Sequence, residues 1–294
     1  MGKFLEFPDN FFIEPTNDCN LKCIICPRRK SKKQIGYMSF KIFRKVVDQL
    51  PTKKISVLSL HQAGEPLLHP RIVDMVRYAK GRGLRKVGFA TNGTLLNENL
   101  SRDLIDSGLD GLTVSMDKVI AKEYCPTEKR KELLATIDKN VLQLIELRNQ
   151  RGLKFPSVKM RMVNIKSTQR LIQQFEKKWK GVANSVDVGH LFSWGGLIKV
   201  ARKKPAHRLI CVKYLTQGVV QWDGDATCCC LYVDVRGDSK GIFGNVLHTS
   251  LKEIFLGGKR MKIIEAQLRG NYNVVPFCKK CLDWEDRLDQ VRHK

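Results

Sequence analysis

The chain has 294 residues, 43% apolar and 28% charged, the balance of a soluble globular protein with one large domain or one large and one small. No run of eighteen apolar residues occurs, and the N-terminal stretch carries acidic residues and no long apolar segment, so neither a membrane-spanning helix nor a secretory signal is expected and the default location is the cytoplasm. The net charge of +24, from 53 Lys and Arg against 29 Asp and Glu, excludes an acidic surface and suits phosphorylated substrates or acidic protein partners. Nucleic acid fits less well, because the basic residues are spread along the chain in short runs such as "PRRKSKK".

Taken in chain order, "FFIEPT" supplies a first strand and leads into three cysteines within eight residues. "ISVLSL" (Ile55–Leu60) predicts the next strand, followed by turn residues and a helix near Pro70–Arg82. "KVGFATNG" predicts a third strand, and "NENLSRDLIDSG" a helix closed by Gly108. "GLTVSMD", "SVKMRMVNI" and "SVDVGHLF" give three more strands, with a long helix, "KRKELLATIDKNVLQLIELRNQRG", between the first two of them. Strands alternating with helices predict βα units and a parallel sheet, and about six units are too few for a closed eight-stranded barrel. The fold expected is α/β, a partial (β/α)6 barrel over residues 1–200. From about Arg202 the alternation stops and cysteines and turn residues become dense, so residues 201–294 are expected to form a small second domain.

Ten cysteines in a reducing compartment are read as metal ligands or reactive thiols before disulfides. Cys19, Cys23 and Cys26 have the spacing C-x3-C-x2-C at the end of the first strand, the carboxyl edge where parallel folds place their chemistry. A 4Fe–4S cubane takes four thiolates, so three leave one iron open to a further ligand. A zinc ion with a distant fourth ligand is the alternative that spacing alone leaves.

This motif resembles that of the radical S-adenosylmethionine enzymes, with Ile25 at a position that is often aromatic in the family. "HQAGEPLLHP" resembles the family's Gly-Gly-Glu-Pro segment, with Ala63 in place of the first glycine, followed by Gly64 and Glu65. "ATNGT" and "TVSMD" resemble the next two strand ends. The resemblance implies that the open iron binds S-adenosylmethionine, whose reductive cleavage gives a 5′-deoxyadenosyl radical that abstracts a substrate hydrogen. It implies cofactor contacts at Ala63, Gly64, Glu65, Asn92 and Ser115, with Arg130 or Arg161 on the carboxylate.

Beyond residue 200, Cys211, Gly224 and Cys229 resemble the C-x(9–15)-G-x4-C opening of the auxiliary-cluster extensions known as SPASM and twitch, closed here by Cys278 and Cys281. Four cysteines imply one fully ligated auxiliary 4Fe–4S cluster, which corresponds to the twitch version; a four-cysteine zinc site is the alternative. Cys228 or Cys230 stands as an alternative to Cys229 in the "CCC" triplet. The function implied is hydrogen abstraction from a carbohydrate- or aminocyclitol-like small molecule, phosphorylated or nucleotide-linked, leading to dehydrogenation or epimerisation. Peptide maturation and RNA modification are the competing readings. Cys125 and Cys230 are the hydrogen-donor candidates for an epimerase, and a flavodoxin- or ferredoxin-type protein is the expected electron donor.

Overall fold

The structure, a computed structural model, describes residues 6–23, 25–116, 127–201, 208, 210–234 and 239–284. Six strands run parallel in sequence order: β1 (Asn10–Ile13), β2 (Val57–Ser59), β3 (Val87–Thr91), β4 (Gly111–Ser115), β5 (Ser157–Asn164) and β6 (Ser185–His190). Between them lie α1 (Phe40–Val47), α2 (Ile72–Gly81), α3 (Glu98–Asp106), α4 (Thr127–Gln150) and α5 (Ile172–Trp179). The six predicted strands and the helices of the second, third and fourth units are found at the expected places, and Gly108 ends α3 in the left-handed conformation at φ 80°. Helix α1 escaped the sequence reading, although Ser39 caps the Ile42 N–H at 3.2 Å and Phe43, Val46 and Val47 form its buried face.

Alternation along the strands decides which side chains meet the helices and which meet the inside of the barrel. On β5, Val158, Met160 and Met162 are buried, while Lys159, Arg161 and Val163 line the interior. The same period sends Thr113 and Ser115 inward from β4 and Leu112 and Val114 into the core.

The C-terminal segment continues the barrel's sheet. Its first strand, β7 (Gln217–Val220), pairs parallel with β1, Phe11 opposite Gly218, and β8 (Asp225–Thr227) and β9 (Ile242–Asn245) follow antiparallel. The order among the described residues is therefore β6-β5-β4-β3-β2-β1-β7-β8-β9. Helices α6 (Val212–Thr216), α7 (Leu251–Leu256), α8 (Gly258–Leu268) and α9 (Pro276–Lys279) complete the segment. Helix α7 starts with a reciprocal Ser250–Glu253 capping box, and buries Leu251, Ile254 and Phe255. Phe255 meets Phe11 of β1 edge-on with centroids 5.4 Å apart, so the apolar cores of barrel and segment are continuous. Burying a ring of this size contributes about 2–3 kcal/mol. A polar tie adds to it: Lys33 Nζ donates to Gln221 Oε1 at 2.7 Å and pairs with Asp223 and Asp225 at 2.7 and 3.0 Å.

Candidate active site and auxiliary cysteine set

Beyond β1 the chain turns back on itself. Thr16 Oγ1 donates to the Gly36 carbonyl at 2.7 Å, and Asn17 brackets the same segment by donating to the Gln34 carbonyl and accepting from the Gly36 N–H. This frame presents the loop carrying Cys19, Cys23 and Cys26 at the carboxyl edge of the sheet. The Cys26 N–H donates to the Cys23 carbonyl at 3.2 Å, which closes the last two cysteines into a turn. Arg28, itself part of the cavity lining, grips the loop by donating to the Asn17 and Cys19 carbonyls and pairing with Asp18 at 3.8 Å.

The loop after β2 packs against this one without room to spare. A Cβ on Gly64 would lie 2.2 Å from the Thr16 carbonyl oxygen and 2.5 Å from that of Asp18, both backbone atoms. The Glu65 N–H donates to the same Asp18 carbonyl at 2.7 Å. The Glu65 carboxylate, 3% exposed, accepts from Thr91 Oγ1 at 2.6 Å, the Asn92 N–H at 2.8 Å and the Leu67 N–H at 3.2 Å. It therefore joins the ends of β2 and β3 at the border of the site. Asn92 in turn donates from Nδ2 to Asn20 Oδ1 at 2.8 Å, tying β3 to the cysteine loop. Behind Ala63 lies Glu14, whose Oε1 accepts the Ala63 N–H at 3.2 Å and whose Oε2 accepts the Trp222 N–H at 3.4 Å. Burial pushes the Glu14 carboxyl up to about 7, against the lowering effect of these hydrogen bonds and of Lys33.

These elements enclose a cavity of about 520 Å³, within the size range of small-molecule sites. Cys19, Cys23 and Cys26 line it together with Ala63, Gly64, Glu65, Asn92, Ser115 and Arg161, so the structure brings these predicted residues to one place. Arg130 belongs to α4, but its side chain lies outside the described residues, as does Cys125 altogether. Several lining residues had no motif to mark them. His61, Lys159 and Lys213 add cationic or titratable groups, and Phe192 and Trp194 form an aromatic wall. The period-two pattern of β5 was the signal available for Lys159, which shares a face with Arg161. Arg161 pairs with Asp187 of β6 at 3.4 Å and lies over the Phe192 ring.

The four rear cysteines lie in the C-terminal segment, apart from the cavity lining. Cys211, Cys229 and Cys278 are 7%, 6% and 5% exposed, and Cys281 is half-buried. Burial pushes the Cys211 thiol up to about 12, Cys229 and Cys278 adding to the rise and Lys213 opposing it. Burial also takes Cys281 to about 12, with Asp283, Cys229 and Cys211 contributing. Cys229 thus acts on both other ends of the set. Within the triplet, Cys228 is fully buried against Cys229, Cys278 and Tyr214, whereas Cys230 borders the cavity. Gly224, at φ 93°, supplies the turn before Cys229 that the β7–β8 hairpin requires.

Among the described residues, no three His, Cys, Asp or Glu side chains are gathered tightly enough for a single metal ion. The fit to iron–sulfur clusters lies in the donors themselves. Both sets are soft thiols, three of them opening on a cavity with space for a further ligand and four enclosed by the C-terminal segment.

The profile of the Radical SAM superfamily matches residues 13–169, and that of the SPASM iron–sulfur cluster-binding domain matches residues 211–282. A tungsten-containing aldehyde ferredoxin oxidoreductase cofactor-modifying protein of Pyrococcus furiosus is 29% identical over 167 residues, covering 56% of this chain and 46% of the relative. A GTP 3′,8-cyclase of Chlorobaculum tepidum is 32% identical over 129 residues, covering 44% and 38%. The chain thus spans less than half the length of these relatives. Among solved structures, BtrN in complex with AdoMet and 2-DOIA has the same fold, with a TM-score of 0.62 at 19% identity over 94% of both chains. The structure of tagged anSMEcpe with bound AdoMet gives 0.61 at 17% identity over 94% of this chain and 89% of that one. Membership implies S-adenosylmethionine and a 4Fe–4S cluster, and the second domain implies an auxiliary cluster. The chain is a member of the radical SAM superfamily, built as a partial barrel followed by a SPASM-type iron–sulfur cluster-binding domain.

Proposed function

We propose that this radical SAM enzyme abstracts a hydrogen from a small carbohydrate- or aminocyclitol-like substrate that carries an anionic, phosphate-type group, and that the product is dehydrogenated or epimerised. The observation that carries this reading is the cavity itself. It is bounded at one end by Cys19, Cys23 and Cys26 and at the other by Lys213, Gln217 and Cys230 of the auxiliary domain. The cluster ligands in this reading are Cys19, Cys23 and Cys26 in front, and Cys211, Cys229, Cys278 and Cys281 behind. Bound S-adenosylmethionine and the two clusters supply a hydrogen-abstracting radical and a route for electrons.

The protein's own contribution is binding and orientation. The backbone of Ala63 and Gly64, the carboxylate of Glu65, and Asn92, Ser115 and Arg161 would hold S-adenosylmethionine beside the front loop. Glu14 fixes the Ala63 N–H, and Glu65 fixes the turn at Asn92, so both cofactor-facing segments are ordered before any ligand enters. The charge of the lining supports an anionic substrate. Among the described residues, Arg28, His61, Lys159, Arg161 and Lys213 border the cavity with Glu65 as the one carboxylate of the lining, and Lys159 has no ion pair. The aromatic wall of Phe192 and Trp194 suits the apolar face of a ring.

Two outcomes are distinguished by what lies beside the substrate. The auxiliary set behind the cavity wall favours dehydrogenation, in which a second electron leaves the substrate. Cys230 in the lining favours epimerisation, in which a thiol returns a hydrogen atom to the opposite face. The net charge of +24 suits an acidic flavodoxin- or ferredoxin-type electron donor. Among the described residues no helix is long and apolar enough to cross a membrane.

The test is anaerobic turnover of phosphorylated and nucleotide-linked sugars in deuterated water. A two-electron-oxidised product establishes dehydrogenation, and deuterium at one inverted carbon, lost in Cys230→Ala, establishes epimerisation. Cleavage of S-adenosylmethionine stimulated by a peptide or an RNA, and by none of the sugars, would refute the proposal.

A further inference from the structure

Lys213 follows Cys211 by two residues, in α6, and is 6% exposed although it carries an ammonium group. Withdrawing an ammonium from water is costly unless other groups meet its charge. Its Nζ donates to the backbone carbonyl of Asp283, two residues beyond Cys281. The charge is thereby anchored between the first and the last cysteine of the rear set. The same side chain borders the cavity, next to Gln217, Cys230 and Leu231. Lys213 is therefore part of the wall that separates the substrate space from the rear thiols.

The neighbouring Asp283 carboxylate has its own partners. It accepts from the Ser193 N–H at 2.9 Å, from Ser193 Oγ at 2.7 Å and from the Trp194 N–H at 2.9 Å, and Cys281 Sγ lies 3.7 Å away. These bonds hold the aromatic wall of the cavity to the closing cysteine pair. They also fix the backbone carbonyl to which Lys213 is tied. In a buried position a unit charge acts strongly on its neighbours, and cluster potentials respond to local charge and exposure.

Resting on the reading of Cys211, Cys229, Cys278 and Cys281 as cluster ligands, we propose that Lys213 sets the reduction potential of the auxiliary cluster. Reduction adds negative charge to the cluster, and a buried ammonium tied to the Asp283 carbonyl, two residues beyond Cys281, favours that state, so the potential is held above the value it has without the charge. A cluster poised in this way accepts an electron from the cavity side more readily.

The test is an EPR-monitored redox titration of the full chain with Cys19, Cys23 and Cys26 replaced by alanine, so that the signal comes from the auxiliary cluster alone. In this background Lys213→Met and Lys213→Gln are expected to shift the midpoint to more negative potential, while Lys213→Arg, which keeps the charge, leaves it near the parent value. Iron content identifies which variants assemble the cluster, and the two neutral replacements guard against one failing to fold. A midpoint unmoved in a neutral variant overturns the proposal, as does an equal shift in Lys213→Arg, which would assign the effect to packing. Absence of any iron–sulfur signal in the parent background overturns the cluster reading as well, a different result from an unmoved midpoint.

Discussion

The loop of Cys19, Cys23 and Cys26 is held by hydrogen bonds to its backbone and to Asn20 and faces a cavity, with two of its three thiols half-buried. Cys211, Cys229 and Cys278 lie instead in the apolar core that the C-terminal segment shares with the barrel, beside Tyr214 and Phe243. The number of thiols matches each environment. Three at an open cavity leave a coordination position where a reagent can arrive, and four in an enclosed site leave none. Under the proposed ligand sets, a cluster that binds its reagent would differ from one that passes electrons in its surroundings as much as in its ligand count.

The comparison is broken most severely at a rear cysteine. Cys278→Ala is expected to abolish product formation while the front loop still cleaves S-adenosylmethionine, because Cys278 touches the rear set and Tyr214 and lines no part of the cavity. Measuring 5′-deoxyadenosine and product in the same assay checks this; loss of both together would mean that the two sites are not separable. Gly64→Ala attacks the other side. Its Cβ meets two backbone oxygens of the cysteine loop, so the loop must shift. Cleavage should fall by roughly 10- to 100-fold with rear iron retained, as read by turnover and iron analysis.

Two further changes sharpen the contrast through stability. Arg260 is fully buried in the rear segment and donates to the carbonyls of Tyr214, Leu215 and Phe255, which closes the end of α6. Arg260→Met leaves those carbonyls unpaired and should cost about 3–5 kcal/mol in denaturant unfolding. Glu14 offers a pH-dependent effect at the junction of the two regions. Its folded carboxyl titrates at about 7 against 4.5 when free, so its neutral form is the one the fold prefers. Its contribution is fully present below pH 4.5 and is lost as pH rises through 7, a decline on the order of 3 kcal/mol. Glu14→Gln removes that decline. The stability difference between parent and variant should change across this window and be constant outside it; a difference independent of pH would contradict the assignment.

Much of this was legible in the chain itself. The cysteine spacing and the Gly64-Glu65-Pro66 turn identify the front loop, and the period-two strands identify the parallel sheet, because both signals are local. The pairing of β7 with β1 was not legible, since it joins segments about 200 residues apart and extends a sheet that the loss of βα alternation after Arg202 suggested was finished. Lys213 and Asp283 were missed although each lies two residues from a recognised cysteine. Their importance comes from the bond between them, which only the folded chain brings about. Phe192 and Trp194 were hidden for a similar reason, as their place in the cavity depends on Asp283 holding the loop after β6.

The central claim, one open cluster and one enclosed cluster in a single chain, is tested most directly by iron and sulfide analysis after anaerobic reconstitution, on the parent and on the variant with Cys19, Cys23 and Cys26 replaced by alanine. About eight irons per chain are expected in the parent and about four in the variant, with S-adenosylmethionine cleavage absent from the latter. Zinc in place of iron, or a variant that retains no iron, would contradict it.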